Sequence, residues 1–299
     1  MEYTNILIAG SGVLGSQIAF QTAFHGFAVT VYDINDEALN RAKERIEQLK
    51  PLYQADLGAT EEALEAAMAR FTFQSDLALA AAKADLVIES VPESLEIKID
   101  FYQKLAQAAP AHTIFATNSS TLLPSQFAHA TGRPEQFLAL HFANEIWKNN
   151  TAEIMKHATT DEHVFNDVVA FAKQIGMVAL PLQKEQAGYI VNSLLVPLLS
   201  SAQKLLVTGI ADIETIDKTW MVATGAPVGP FGMLDIVGIN TAYHIARTRA
   251  EHTGDEAYQA VADLLKNDYV NPGKLGKATG EGFYTYPNPS YLEPGFLKP

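Results

Sequence analysis

The stretch Ile6-Leu7-Ile8-Ala9-Gly10-Ser11-Gly12-Val13-Leu14-Gly15 decides the fold. Its four apolar residues predict a buried strand, its three glycines predict a tight turn, and residues 14–25 predict a helix. A second apolar run, residues 28–32, ends at Asp33, about twenty residues beyond the glycines. This order of strand, glycine turn, helix, strand and acid is typical of a dinucleotide-binding βαβ unit.

Each position of this unit has a physical reason. Gly10 allows the chain to turn sharply, Gly12 lets backbone approach a pyrophosphate, and Gly15 lets the helix pack closely on the sheet. The helix N-terminus offers N–H groups and a positive dipole end to phosphates. An acid at Asp33 accepts from ribose hydroxyls and repels a 2′-phosphate, which favours NAD over NADP. The predicted cofactor contacts here are Gly10, Gly12, Val13, Leu14, Gly15 and Asp33; the alternative is the same fold with a vacant nucleotide site.

The composition narrows the class of protein. The chain has 299 residues, 48% of them hydrophobic, which is enough for two domains with their own cores. A net charge of −13 argues against nucleic acid and anionic membranes as partners. The chain has no cysteine, which excludes disulfides and thiolate chemistry, and we expect no metal site. We recognise no signal peptide and no apolar segment approaching membrane-spanning length, so we expect a cytoplasmic protein.

Residues 1–184 alternate between strand and helix patterns, which predicts a Rossmann-type, doubly wound, mostly parallel sheet. Ligands bind such sheets at the carboxyl ends of the strands. Two helical segments, 36–49 and 60–70, interrupt the alternation and are separated by Pro51 and Gly58. They predict an inserted helical hairpin at about 36–70. This hairpin either flanks a substrate or decorates the surface.

Residues 185–299 show only helical patterns and predict a second domain. The expected helices span 189–207, with a kink or interruption near Pro197, then 213–222, 241–250 and 256–266. The first helix is apolar on all sides, so we expect it to be buried, partly at a subunit interface. The alternative is burial wholly within its own domain.

An NAD site favours hydride transfer to or from a carbon that bears oxygen, and this chemistry needs a general acid/base. His141 ends a predicted strand, 137–140, on the cofactor side of the sheet. Glu153 lies in the next apolar segment, 151–155, and antiparallel pairing of the two segments would bring it to His141. Glu145, in the loop between them, is a rival partner. The alternative is that His141 is structural.

Three further polar positions are candidates. Residues 118–121, Asn-Ser-Ser-Thr, follow a predicted strand and form a polar turn, either at the site or as a helix cap. Asn192 lies inside an apolar helix, where a buried amide needs partners, and interhelix bonding explains it as well as catalysis does. Glu93 follows another strand end, facing the nicotinamide or starting the next helix.

Several motifs in order resemble the 3-hydroxyacyl-CoA dehydrogenases along nearly the whole chain. Besides the glycine turn they are Glu89-Ser90-Val91-Pro92-Glu93, Ala116-Thr117-Asn118-Ser119-Ser120, Leu140-His141-Phe142, Gly188-Tyr189-Ile190-Val191-Asn192, Gly225-Ala226-Pro227-Val228-Gly229-Pro230-Phe231, Leu234-Asp235 and Gly280-Glu281-Gly282-Phe283-Tyr284. The resemblance implies NAD-dependent interconversion of 3-hydroxyacyl-CoA and 3-ketoacyl-CoA. It also implies a homodimer formed through the helical C-terminal domain.

The resemblance also implies roles for individual residues. It makes His141 the acid/base and Glu153 the carboxylate that orients it. It makes Ser120 and Asn192 the donors to the substrate oxygen. The cofactor contacts that it adds are Glu93, Lys98 and Asn118.

Two departures from the family pattern bear on the substrate. Members usually continue His-Phe-Phe-Asn-Pro, whereas this chain has His-Phe-Ala-Asn-Glu at 141–145 and Trp147 shortly after. The hairpin segment 48–56 has one lysine and one aspartate, where typical members carry several lysines suited to an acidic CoA tail. In both respects the chain resembles the diketoreductases, which reduce β-dicarbonyl esters lacking CoA. L-gulonate dehydrogenase shares the same plan.

Three hypotheses about function therefore remain. Family frequency favours an acyl-CoA substrate, and a β-dicarbonyl ester or related 3-hydroxy acid is the main alternative. A dinucleotide-binding or structural protein without turnover is the third, and the combination of His141, Glu153, Ser120 and Asn192 argues against it.

Overall fold

The computed structural model describes residues 3–298. The chain forms two compact units, Met1–Ile190 and Val191–Pro299. The sequence-based boundary lies at residue 184. The first unit of the structure extends six residues further, into the motif that begins at Gly188.

An eight-stranded sheet organises the first unit. Its spatial order is β3-β2-β1-β4-β5-β6-β7-β8. Every neighbouring pair is parallel except β6 and β7, which are antiparallel. The strand order reverses between β1 and β4, the place where doubly wound sheets bind ligands. This confirms the predicted Rossmann-type fold. The strands are β1 Asn5–Ala9, β2 Ala28–Tyr32, β3 Phe71–Gln74, β4 Leu86–Glu89, β5 Ile114–Thr117, β6 Phe137–Phe142, β7 Thr151–Met155 and β8 Val178–Leu182.

Alternation along the first strand shows why both faces of this sheet need cover. Ile6 and Ile8 belong to one hydrophobic cluster, whereas Leu7 and Ala9 belong to another. Since successive side chains point to opposite faces, a strand apolar at every position is stable only between two layers. The helices of the first unit are α1 Val13–Phe24, α2 Asp36–Leu57, α3 Glu61–Met68, α4 Leu77–Ala81, α5 Leu95–Ala108 and α6 Glu162–Gln174.

The inserted hairpin differs from its predicted form. Helix α2 continues through Pro51 and ends only at Gly58, which is left-handed at φ 66°. Pro51 removes one backbone hydrogen bond, but Leu49 and Tyr53 on either side are buried and hold the helix in place. The prediction of a break at Pro51 was therefore wrong. The sequence also missed β3 and α4, which are too short to show a periodic pattern.

The second unit contains helices and short turns. Its helices are α7 Tyr189–Val207, α8 Ile213–Thr224, α9 Pro230–Val237, α10 Ile239–Thr253 and α11 Glu256–Leu264, followed by a π-helical segment at Leu265–Val270. Helix α7 begins at the end of the first unit and runs through Pro197 without interruption. Helix α9 was missed because it is only eight residues long.

Two buried aspartates hold the glycine motifs of this unit. Asp217 accepts from the N–H groups of Phe231 and Gly232, at 2.8 and 3.1 Å. Asp235 accepts from the N–H groups of Phe283 and Tyr284, at 2.8 and 2.9 Å. These motifs of the second unit are therefore explained by folding, because each supplies donors to a carboxylate that would otherwise be buried without partners.

Helix α7 contradicts one sequence-based prediction and bears on another. It has 19 residues and a mean hydropathy of 1.5, so by length and composition alone it is long enough to cross a membrane. The statement that no segment approaches that length was wrong. Only 17% of its apolar stretch is buried within the described chain, which contradicts the alternative of burial wholly within its own domain. Burial partly at a subunit interface stays a prediction. One such helix is weak evidence for a membrane span.

Candidate active site

The glycine turn after β1 is built for close packing on one side and is open on the other. A Cβ at Gly10 would lie 2.4 Å from the Ser90 oxygen, and one at Gly15 would lie 2.0 Å from the Gly10 oxygen. A Cβ at Gly12, in contrast, would have no heavy atom of the described residues within 4 Å, apart from its chain neighbours and the helix's own backbone. Gly12 also precedes α1, whose first turn has no side-chain cap among the described residues. Open backbone with a helix N-terminus behind it fits a pyrophosphate.

Asp33 is fixed at the rim of the same turn. One of its carboxylate oxygens accepts from the N–H of Ser11 at 2.9 Å and from its hydroxyl at 2.5 Å. The other accepts from the N–H of Ile34 at 2.8 Å. The acid is thus oriented at the end of β2, with remaining lone pairs for a ribose diol. Val13, 63% exposed, and Leu14, half-buried, begin α1 beside it.

His141 and Glu153 meet across the antiparallel strands. The register of β6 and β7 places them directly opposite each other, and His141 Nδ1 lies 3.2 Å from Glu153 Oε2. Because a carboxylate only accepts, Nδ1 donates and Nε2 is left facing Ser120 Oγ at 3.1 Å. Glu153 is buried, and its other oxygen accepts from the Ile190 N–H at 3.0 Å. This geometry suits an acid/base whose orientation is fixed by a carboxylate.

Three other candidate residues, Glu145, Asn118 and Asn192, make no hydrogen bond to His141 among those that the structure describes. Glu145 is exposed on the loop, and its N–H binds Gln17 Oε1 at 2.8 Å. Asn118 is buried, and its Oδ1 accepts from the Phe142 N–H at 3.0 Å, which ties the end of β5 to the end of β6. Asn192 lies in the first turn of α7, in the second unit, with its side chain exposed.

Glu93 holds the turn that carries Ser120. Its Oε1 accepts from the Ser119 hydroxyl at 2.5 Å and from the Ser120 N–H at 3.1 Å. It also accepts from the Thr121 N–H and hydroxyl, at 2.9 and 2.8 Å. Partial burial opposes ionisation of Glu93, but these hydrogen bonds outweigh it and lower its pKa to about 2. Glu93 therefore acts as an anionic anchor for the turn.

A buried charge pair supports Glu93 from beneath. Lys98 Nζ lies 2.6 Å from Glu89 Oε1 and 3.4 Å from Glu93 Oε2, and Lys98 and Glu89 are both buried. Thr117 Oγ1 donates to Glu89 at 2.7 Å. Burial raises the pKa of Glu89, and the Lys98 ammonium opposes that shift. Lys98, predicted as a cofactor contact, thus has its ammonium on Glu89. Sequence reasoning did not predict Glu89 as a site residue, although an acid at the end of an apolar strand could have indicated it.

The loop at 143–150 is fastened to the end of α2. Asp56 Oδ2 accepts from the Trp147 indole N–H at 2.8 Å, and Lys148 Nζ lies 2.9 Å from the same oxygen. The rings of Tyr53 and Trp147 lie 5.5 Å apart. Hydrogen bonds from Trp147 and Lys148 lower the pKa of Asp56. We call Asp56, Trp147 and Lys148 the hairpin clamp. Sequence analysis noted loop and hairpin separately and missed their contact.

Within residues 3–298, no three or more His, Asp or Glu side chains are grouped so as to hold a metal ion.

Comparison with known proteins identifies the family. A model of the 3-hydroxyacyl-CoA dehydrogenase NAD-binding domain matches residues 5–186, and a model of that family's C-terminal domain matches residues 188–286. The human mitochondrial hydroxyacyl-coenzyme A dehydrogenase is 33% identical over 287 residues, covering 94% of this chain and 91% of that protein. A probable 3-hydroxybutyryl-CoA dehydrogenase of Bacillus subtilis is 32% identical, covering 96% and 98%.

Comparison with solved structures gives the same family. A diketoreductase, described as acting on dicarbonyl compounds, matches with a TM-score of 0.90 and 57% identity, covering 96% of this chain and 100% of that chain. The (S)-3-hydroxybutyryl-CoA dehydrogenase of Ralstonia eutropha matches with a TM-score of 0.84 and 26% identity, at the same coverage. The glycine turn and Asp33 fit a dinucleotide, and NAD is the cofactor of the matched family. The chain belongs to the 3-hydroxyacyl-CoA dehydrogenase family and is an NAD-dependent oxidoreductase.

Proposed function

We propose that this protein is an NADH-dependent reductase of β-dicarbonyl compounds that carry no CoA. The hairpin clamp is the observation that carries the proposal, because strong contacts to an acidic CoA tail are charge-assisted, and a cation already paired with a carboxylate is less available for them. Lys148 is paired with Asp56 at 2.9 Å, and Lys50, on the same hairpin, is paired with Glu65 at 2.5 Å. The 57% identity to a diketoreductase supports the same substrate class.

The proposed mechanism uses three polar side chains at the end of β6: His141, Glu153 and Ser120. The glycine turn and Asp33 would hold NADH, which would supply the hydride that reduces the carbonyl carbon. In the direction of reduction, doubly protonated His141 gives its Nε2 proton to the substrate oxygen. Glu153 accepts from Nδ1 throughout, so it keeps the imidazole oriented and stabilises its cationic form.

Ser120 is the proposed donor to the developing oxyanion. Its hydroxyl lies 3.1 Å from His141 Nε2, so both groups can address one oxygen. We assign Asn192 as a second donor because of its match to the family motif. Oxidation of the alcohol follows the same steps in reverse, with neutral Nε2 taking the hydroxyl proton.

The second candidate is interconversion of 3-hydroxyacyl-CoA and 3-ketoacyl-CoA. The relatives named for that activity cover the chain almost completely, and they support it. The acid/base chemistry is the same for both candidates, so only the group beyond the β-carbonyl separates them.

Steady-state NADH oxidation tests the choice. The kcat/KM of acetoacetyl-CoA is compared with that of a β,δ-diketo ester at the same pH and NADH concentration. We expect a higher kcat/KM for the ester. A clear preference for the thioester would overturn the proposed substrate class and leave the second candidate.

We also propose that the protein is a homodimer formed through its second unit. Leu194 on α7 and Ile210 beyond its end are both 70% exposed, and Val222 on α8 is 66% exposed. A groove of about 470 Å³ between α7 and α8 has a mainly apolar lining. Apolar surface of this kind is typical of an interface. Light scattering should give twice the mass of the chain, and the mass of one chain would contradict the proposal.

A further inference from the structure

The first unit ends in a segment with unusual backbone geometry. Gly188 and Tyr189 both have left-handed φ values, 77° and 54°. Glycine adopts this region easily, but a tyrosine there is strained and persists only when its surroundings fix it. Tyr189 is 2% exposed, so its side chain is packed rather than solvated. The structure therefore holds this side chain in one place against a backbone preference.

The ring of Tyr189 lies flat against His141. The ring centroids are 4.5 Å apart, with 15° between the planes. The hydrogen bond at Nδ1 limits rotation of the imidazole about its last side-chain torsion, but the energy wells of that torsion are broad and leave the ring plane loosely set. A flat ring packed against one face blocks that rotation. Tyr189 thereby restricts the direction in which Nε2 points.

The hydroxyl of Tyr189 reaches the turn that carries Ser120. It donates to the Ser119 carbonyl oxygen at 2.6 Å. Burial raises the pKa of Tyr189, and the charges of Glu153 and Glu93 add to that effect, so the hydroxyl stays protonated and remains a donor. One side chain thus contacts both the imidazole and the residue that precedes Ser120.

The next residue contacts the third member of the site. The Ile190 N–H donates to Glu153 Oε1 at 3.0 Å. This donor belongs to the first turn of α7, where the helix dipole favours a carboxylate. Tyr189 and Ile190 are adjacent in sequence, so the backbone at this point fixes the ring and the N–H relative to each other.

We propose that Tyr189 is a positioning residue for the acid/base. Its ring sets the plane of His141, and its hydroxyl sets the Ser119–Ser120 turn, so that Nε2 and Ser120 Oγ stay 3.1 Å apart. The inference rests on the proton transfer assigned to His141 above. It adds a requirement that the family motifs alone do not state: an aromatic ring with a donor at its far end, on a left-handed backbone.

The test compares Tyr189→Phe, which keeps the ring, with Tyr189→Leu, which removes it. Tyr189→Leu should lower kcat by about ten- to a hundredfold, because small displacements of a catalytic group have effects of this size. Tyr189→Phe should lower kcat by at most about fivefold, the effect of one hydrogen bond. The KM and the Kd for NADH, measured by fluorescence titration, should stay unchanged in both variants. A general loss of structure would change them.

Measuring Tyr189→Leu and Tyr189→Phe again in a His141→Ala background separates positioning of the imidazole from any role of Tyr189 that does not act through His141. Without an imidazole to hold, the Leu and Phe variants should become equal in residual rate. An equal loss from Tyr189→Leu in both backgrounds would overturn the inference. If Tyr189→Leu does not fold, Tyr189→Met is the replacement variant and the same comparison applies. Failure of the proton transfer assigned to His141 looks different, because His141→Ala alone would then keep the parent turnover. Failure of the proposed substrate class looks different again, because the parent would then prefer the thioester.

Discussion

Two regions of the molecule are held together in different ways: the hairpin clamp, and the carboxyl end of β6 with its neighbouring turn at 118–121, which we call the sheet edge. At the sheet edge, strand register sets the geometry: β6 and β7 pair His141 with Glu153, and four donors converge on one oxygen of Glu93. At the clamp, two side chains from a loop meet one carboxylate, and Lys148 is half-exposed. The first arrangement belongs to the fold, whereas the second depends on a few replaceable side chains. The difference suggests how the chemistry can stay constant while the substrate changes.

The largest expected effect comes from the sheet edge. His141→Ala removes the proposed acid/base, so kcat should fall by about 10²- to 10⁴-fold for the ester and the thioester alike. NADH affinity, measured by fluorescence titration, should not change, because the glycine turn and Asp33 are untouched. Turnover at the parent level would show that another group moves the proton.

The next effect concerns stability beneath the sheet edge. Glu89→Gln removes the 2.6 Å charged partner of the buried Lys98 ammonium and leaves Glu93 at 3.4 Å, so the free energy of unfolding should fall by up to about 3–5 kcal/mol. The matched control is Glu89→Gln combined with Lys98→Met, which removes both charges and should recover most of the loss. Denaturant titration measures both variants. Equal stability of the single and double variants would mean that the pair is not a buried charge pair.

A smaller effect is expected at the hairpin clamp. Asp56→Asn keeps the shape but removes the charge that pairs with Lys148, so the loop at 143–150 should loosen and free a cation. We expect kcat/KM for the ester to fall severalfold at most, because the pair is exposed to solvent, and the thioester to gain relative to it. Glu65→Gln, which breaks the Lys50 pair on the same hairpin, is the control. The same change in preference in both variants would exclude a specific role for the clamp.

The smallest effect is a pH dependence at the sheet edge. The pKa of Glu93 is about 2 in the folded protein, below its ordinary value of 4.5. A lowered folded-state pKa stabilises the protein above the unfolded pKa, and this contribution is lost as the pH falls from about 4.5 to about 2. Partial exposure reduces its size through solvent screening. In acid titration followed by circular dichroism, Glu93→Gln should show a shallower loss of stability in that window. An unchanged slope would contradict the anchoring role.

The sequence predicted the features that depend on local pattern. The glycine turn, the alternating strands and the antiparallel approach of His141 to Glu153 all follow from short stretches whose periodicity or spacing has one physical meaning. The structure brings His141 and Glu153 together as that pattern indicated, and it places Ser120, which the family resemblance singled out, beside His141.

The features that the sequence missed depend on contacts between distant segments. Asp56 and Trp147 are 91 residues apart, and Tyr189 and Ser119 are 70 apart, so no local pattern connects them. Pro51 indicated a break, but tertiary burial of Leu49 and Tyr53 outweighed the lost hydrogen bond. The exposure of α7 was also unpredictable, because hydropathy shows that a helix needs cover and does not show what supplies it.

The most direct test of the account is the ratio of kcat/KM for a β,δ-diketo ester to kcat/KM for acetoacetyl-CoA, measured in three proteins: the parent, Glu153→Gln and Asp56→Asn. The account predicts a ratio above one in the parent. Glu153→Gln should keep that ratio while both rates fall, and Asp56→Asn should lower it. A ratio that changes in Glu153→Gln and stays constant in Asp56→Asn would contradict the separation of chemistry at the sheet edge from substrate choice at the hairpin clamp.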